Sequence, residues 1–279
     1  MGDDLESRRN VIGVDFSAAA DAGRRMWIAR AEAPADGVGP AEIRSCIPAE
    51  ELPGSGRDRD MAMAGVRTLL AESGDCVAGL DFPFGLPAPL VSESTWLAFL
   101  RAHAQRCPDA ATFRRLCREA SDGRELKRLT DVETRTPFSP YNLRLHRQTH
   151  HGLRDILAPL VLEGRATASP MQPMRIGAPL LLEICPASTL KREGVPAIYK
   201  GATDEHQASR RRILKAMEGA ALVRIASRTL RRRVLEDAGG DALDAVIAAG
   251  AAARAIREGA LKDAGVGSGA HAIEGRVFT

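Results

Sequence analysis

The sequence predicts an α/β protein, a mixed sheet flanked by helices with a helical insertion, and three observations carry that expectation. Apolar runs at 11–16, 25–31 and 42–48 precede a helically spaced segment at 61–72 and a buried-looking run at 76–82. Strands, then a helix, then a buried strand is the order from which a helix-covered sheet is built. The stretch from about 93 to 165 is helix-rich with no linker bounding it, so it reads as an insertion within a single domain spanning 1–279. Near the C-terminus, GGDALDAVIAAGAAARAIREG reads as one long helix with a face of small residues.

Taken in order, VIGVDF (11–16) is a short strand and RMWIARA (25–31) another, joined by the small-residue turn SAAADAG; EIRSCIP (42–48) adds a third. LPGSGRDRD is a loop by composition. Met63, Val66, Leu69 and Leu70 give 61–72 its helical face. The run at 76–82 stops at Pro83. TWLAFLRAHA and ATFRRLCREA read as helices, TRTPFSPYN as a proline-rich loop, and THHGLRDILAPLVLEG as a helix kinked at Pro159. Leu180 to Ile184 is a strand, DEHQASRRRILKAMEG and TLRRRVLED are helices, and IEGRVF closes the chain as a small strand.

Composition narrows the function classes. The 279 residues are 44% apolar and 27% charged, ordinary for a globular protein. No run approaches the length of a membrane helix, and the N-terminal MGDDLESRRN lacks the apolar stretch of a secretion signal. Five cysteines with no CxxC pair fit a reduced, cytoplasmic setting. The net charge of +3 neither demands nor excludes a nucleic-acid partner, and 4% aromatics make a base-stacking platform sparse. Arginine clusters at 114–118, 210–212 and 231–233 each read as solvated helix faces. Walker A, G-x-G-x-x-G and G-x-S-x-G motifs are missing, which removes support for dinucleotide enzymes and serine hydrolases.

The acids stand out against this background. Asp15, Asp81 and Glu183 each sit at or near the end of an apolar strand, where an unpaired carboxylate is costly. Alternation sets Gly13 on the face of Asp15 and Gly79 on that of Asp81, a face the glycines leave open to a ligand or ion. Asp241, after Gly239 and Gly240, is placed as a helix N-cap, and Asp244 lies one turn later on the face of Ala245, Ala248 and Ala252. Converging carboxylates raise one another's pKa, and a divalent cation, Mg2+ or Mn2+, removes that conflict. Two such ions about 4 Å apart support phosphodiester hydrolysis. The expected metal ligands are therefore Asp15, Asp81, Glu183, Asp241 and Asp244; Asp15, Asp81, Glu183 and Asp244 form the catalytic set.

VIGVDFS, AGLDFPFGLP, TRTPFSPYN, LLEICPAST, DALDA and the terminal IEG together resemble the RNase H-like family of domain of unknown function 429, whose members are described as predicted nucleases. DFPFGLP and the E-x-C-P stretch are the most specific of these, and DALDA is also similar to the last helix of Holliday-junction resolvases. The resemblance covers nearly the whole chain. It implies an RNase H-like sheet with metal-binding acids, Asp15 as the first-strand acid and Asp244 or Asp241 as the helix acid. Asp81 and Glu183 both match acidic family positions. After the terminal Glu-Gly the family often has an aromatic, where Arg276 stands here.

Other constellations carry less. His146 and His150 have a zinc-compatible spacing but lack the glutamate of H-E-x-x-H, and read as surface or substrate-facing residues. Cys185 reads as packing. The stretch 128–151 gathers Arg128, Arg135, Asn142 and Arg144 around prolines, a set able to contact substrate phosphates. The expectation is thus a metal-dependent phosphodiesterase acting on nucleic acid or another phosphodiester, with no membrane partner. The alternatives are an ATP-dependent phosphotransferase of the actin and sugar-kinase superfamily, or a nucleic-acid-binding module without catalysis.

Overall fold

The computed structural model describes residues 10–34, 37–195, 198–261 and 269–279, so residues 1–9 of the polar N-terminal stretch lie outside the described residues. The chain opens with β1 (Asn10–Asp15), the short helix α1 (Ala22–Arg25), β2 (Trp27–Glu32) and β3 (Ala41–Pro48), then α2 (Arg59–Glu72) and β4 (Cys76–Leu80). Helices follow at α3 (Trp96–Arg106), α4 (Ala110–Ala120), α5 (Leu129–Glu133), α6 (His146–His151) and α7 (Ala158–Leu162), before β5 (Thr167–Ser169) and β6 (Leu180–Ile184). The chain ends with α8 (Pro186–Arg192), α9 (Asp204–Gly219), β7 (Val223–Arg224), α10 (Arg228–Glu236), α11 (Asp241–Arg257), α12 (His271–Glu274) and β8 (Val277–Phe278).

Among the described residues these strands form one mixed sheet in the order β5-β6-β4-β1-β2-β3-β7, with β8 pairing β6. β1 pairs antiparallel with β2 and β2 with β3, whereas β1, β4 and β6 run parallel. β1 and β4 are adjacent with Gly13 opposite Gly79, so the two Gly-x-Asp patterns end at the same edge. Both faces of β4 and β6 are buried, as parallel strands sandwiched between helices must be.

The two faces have separate cores. Val11, Val77, Leu182 and Ile184 pack with the alanines of α11, while Ile12, Val14, Ala78, Leu80 and Leu181 pack with α2 and the helices between β4 and β5. This corrects one sequence expectation. The face that Gly13 and Gly79 leave bare is filled by α11: a side chain at Gly13 would collide with the backbone of Ala245 and Ala249, and one at Gly79 would lie 2.7 Å from the Ala248 carbonyl. The glycines let a helix backbone approach the sheet, and that approach carries Asp244 to the strand ends.

The long helix of 149–164 also departs from expectation. It loosens ahead of Pro159, as a π-helical stretch at Gly152–Leu157. Proline cannot donate to the carbonyl four residues back, and the Asp155 carbonyl instead accepts a hydrogen bond from Arg67 Nη1 at 2.8 Å. Among the described residues no helix is long and apolar enough to cross a membrane.

Candidate carboxylate cleft

Three of the expected acids meet at the ends of β1 and β4. Asp15 closes β1 and is buried. Asp81 lies one residue past β4 and is held by its backbone: its N–H donates to the Val14 carbonyl at 3.0 Å, and its carbonyl accepts from Gln148 Nε2 at 2.5 Å. Asp244, buried on the first turn of α11, comes in over the glycine face. Burial, and after it the Asp244 carboxylate, push Asp15 well above the usual carboxylate range and Asp81 up to about 8.

A cation that the sequence reading missed stands on the other side of Asp244. Lys200 Nζ lies 2.7 Å from Asp244 Oδ2 and 3.1 Å from Asp241 Oδ1. The Tyr199 hydroxyl donates to Asp244 Oδ1. Burial opposes the Lys200 charge, but Asp244, Asp15 and Asp241 outweigh it and hold the ammonium charged. Arg210 positions this segment by donating to the Tyr199 carbonyl at 2.7 Å and the Gly201 carbonyl at 2.9 Å, so Lys200 is bracketed by two fixed peptide groups. Arg210, read from sequence as a solvated arginine, is therefore a buried positioning group. Arg231, Arg232 and Arg233 pair with Glu218, Glu236 and Glu51 as surface ion pairs.

Asp241 is not the helix cap. Gly240, at φ 77°, is the N-cap. The capping carboxylate is Asp237, whose oxygens accept from the N–H groups of Ala242 at 2.9 Å and Gly239 at 3.2 Å. A cap four residues upstream is hidden from a reading that expects it beside the first helical residue. Asp241 is free of that task and pairs with Lys200.

Glu183 belongs to a different arrangement. The register sets it beside Leu80, so it projects to the face opposite Gly79 and Asp81. There Arg128, buried, donates from Nη1 at 2.8 Å and from Nη2 at 2.5 Å to its two oxygens, and the Phe84 N–H donates to Oε2 at 2.8 Å. The same guanidinium pairs with Asp131 at 2.7 Å and donates to the Glu274 carbonyl at 3.0 Å. The Glu274 carboxylate in turn accepts from the N–H groups of Ala88 and Leu129, both at 2.6 Å. Arg128 thus ties the E-x-C-P and IEG motifs together, and Glu183 joins DFPFGLP to them through the Phe84 N–H. Burial raises Glu183, and Arg128 pulls it back.

Of the four residues assigned to phosphate contact, Arg128 is committed to Glu183 and Asp131. Asn142 Nδ2 donates to Glu125 at 2.7 Å. The Arg144 guanidinium lies 5.4 Å over the Phe138 ring, and exposed Arg135, at φ 54°, gives its carbonyl to Lys191 Nζ at 2.6 Å. Glu133 faces His271 at 3.3 Å. His146 and His150 are buried, correcting the surface reading, and Cys185 is half-buried at the cleft wall rather than in the core. Arg276, in the aromatic's place, stacks on Phe278 at 5.1 Å.

Asp81 and Asp244 open onto a cleft of about 210 Å3 whose wall also carries Lys200, Tyr199, Gln148 and the Arg128–Glu183 pair, with Asp15 buried behind them. Among the described residues, no group of three or more His, Cys, Asp or Glu side chains is arranged, as it stands, to hold a metal ion; Lys200 supplies the positive charge at Asp241 and Asp244.

Residues 13–264 match the family model described as "Protein of unknown function (DUF429)". No curated protein and no solved structure matches the chain.

Proposed function

The chain belongs to the DUF429 family, and from that premise we propose that it is a phosphodiester hydrolase of RNase H-like architecture, dependent on a divalent cation and acting in the cytoplasm. The observation that carries the reading is the meeting of Asp15, Asp81 and Asp244 from two adjacent parallel strands and the helix packed across them. Two of these acids, Asp15 and Asp81, are driven up in pKa by burial and then by the Asp244 carboxylate, a conflict that a cation relieves. Five cysteines, all free, support the reducing compartment.

The donor set is carboxylate oxygen throughout, which suits Mg2+ or Mn2+ and not a soft metal. Asp15, Asp81 and Asp244, which as they stand form no metal-holding group, would have to turn together, with Lys200 released from Asp244, to hold such an ion, which would supply a Lewis acid and an acidified water for attack on phosphorus. Chain residues do the rest. Gln148 and the Val14 carbonyl fix the Asp81 backbone. Tyr199 orients Asp244, and Lys200, half exposed at the cleft, is the cation that moves from Asp244 to a substrate phosphate oxygen as the site is occupied. Glu183, locked to Arg128, holds the cleft wall and is not a ligand in this scheme.

Hydrolysis of bis(p-nitrophenyl) phosphate and of labelled oligonucleotides, with and without Mn2+, tests the reading. Activity that needs Mn2+ and is lost in Asp15→Asn supports it. A parent protein that neither binds Mn2+ in calorimetry nor hydrolyses any phosphodiester overturns it, and thermal stabilisation by ATP instead would favour the phosphotransferase.

A further inference from the structure

A second polar feature lies outside the cleft. Along α4 and α6 run two adjoining depressions of about 610 and 440 Å3 that share Ala111 and His146. Their walls carry Arg114, Arg118, Arg147, Arg154, Arg59 and His146. The carboxylates in the same walls are occupied: Glu119 pairs with Arg115 at 2.9 Å, Asp122 with Arg124 at 3.5 Å, and Asp109 accepts from the Thr112 N–H as the cap of α4. Arg114, Arg118 and Arg147 have no ion pair among the described residues, and Arg114 Nε is buried without a hydrogen-bond partner there. Uncompensated guanidinium groups lining a continuous groove are an arrangement for anions held in a row.

The groove and the cleft are back to back across one helix. Leu145 and Gln148 face the cleft, whereas His146 and Arg147, on the same segment, line the groove. A helix with its side chains is about 10 Å across, less than the span of a few nucleotides. An extended polyanion lying in the groove need only cross that helix to reach the cleft wall.

We infer that this groove is a binding track for the sugar–phosphate backbone of a nucleic acid strand, with Arg114, Arg118 and Arg147 as its principal phosphate contacts. Delivery of that strand to the carboxylates rests on the proposed function; binding in the groove does not. The sparse aromatics favour backbone recognition over base stacking.

The test is fluorescence anisotropy of labelled single-stranded DNA, single-stranded RNA and their duplexes across a salt series. It compares the parent, Arg114→Gln/Arg118→Gln/Arg147→Gln, and the cleft variant Asp15→Asn. Each lost phosphate contact removes about 0.7 from the salt slope on a single strand, so the triple variant should show a slope shallower by about two, weaker binding, and parental melting and Mn2+ affinity. The probe that binds most tightly identifies the source of the backbone. Asp15→Asn should bind as the parent does. Binding that persists in the triple variant with an unchanged slope overturns the track, as does a parent that binds none of the four probes. A parent that binds with the expected slope but cleaves nothing overturns the proposed function and leaves the track standing.

Discussion

Two groups of buried acids sit one strand apart at the same end of the sheet, and they are built in opposite ways. Glu183 is saturated: a bidentate guanidinium and a backbone N–H take its oxygens, and Arg128 itself is fully shared among Glu183, Asp131 and the Glu274 carbonyl. Asp15 and Asp81 are left facing Asp244, with one lysine nearby. The first group spends its charge on joining three distant motifs. The second keeps its charges in conflict, an arrangement that costs stability and that the proposed cation would relieve.

The largest effect that would break this comparison is on activity. Asp15→Asn should abolish Mn2+ binding and phosphodiester hydrolysis while melting at or above the parental temperature, because it removes a buried carboxylate that faces Asp244. Tyr199→Phe removes only the group that orients Asp244 and should cost about 10- to 100-fold in metal affinity. Calorimetric titration beside a melting curve reads both. An Asp15→Asn protein that melts well below the parent would put Asp15 in the structural group with Glu183.

Arg128→Met is the converse experiment. It strands Glu183 in the core, so denaturant unfolding should show a loss of about 3–5 kcal/mol. Arg128→Met/Glu183→Gln should recover part of that loss, since the charge left without a partner is gone. Equal destabilisation in the single and double variants would mean that the arginine's other contacts, to Asp131 and the Glu274 carbonyl, carry the network.

How much of this was legible in the sequence follows the same division. The Gly-x-Asp repeat placed Asp15 and Asp81 at one sheet edge because strand alternation is local and the glycines mark a shared face. What the glycines were for was not legible: an open face and a face filled by the alanines of α11 look alike until the helix is docked. Glu183 looked equivalent to the other acids because its own strand does not reveal the register that turns it to the far face. Arg128 sat in a run of basic residues whose burial depends on contacts 55 and 146 positions away. Lys200 follows no periodic segment, so nothing near it announced that it meets Asp244. Strands β5 and β7, of three and two residues, are too short to leave an apolar pattern and exist only through their neighbours.

A smaller effect separates the groups by pH. Burial and the Asp244 carboxylate push Asp81 up to about 8 from an ordinary 3.8. An acid whose folded pKa is raised binds its proton more tightly when folded, so its stabilising contribution is whole below pH 3.8 and is lost as pH rises through about 8. The metal-free protein should therefore melt progressively lower across that window, and Asp81→Asn should flatten the decline. Saturating Mn2+ should reverse the trend, since the ion binds the deprotonated form. A metal-free melting temperature independent of pH between 4 and 8 would mean that Asp81 is ionised throughout and already matched by Lys200.

The smallest expected effect tests the start of the helix that delivers Asp244. Asp237, not Asp241, accepts the free N–H of Ala242 in the first turn of α11, and Asp241 is paired with Lys200 at a half-exposed position. Loss of a capping side chain costs about 1 kcal/mol, whereas an exposed ion pair is worth between about 0 and 1. Asp237→Ala should thus lower stability by about 1 kcal/mol, and Asp241→Ala by less. Their effects on the cleft should run the other way. Asp241→Ala leaves Lys200 attached to Asp244 alone, so Mn2+ must displace a more firmly held lysine and should bind more weakly; Asp237→Ala leaves the carboxylates and Lys200 untouched and should bind Mn2+ as the parent does. Denaturant unfolding and calorimetry on the two variants read both quantities. A larger stability loss in Asp241→Ala than in Asp237→Ala would return the cap to Asp241 and leave Lys200 with Asp244 as its sole structural partner.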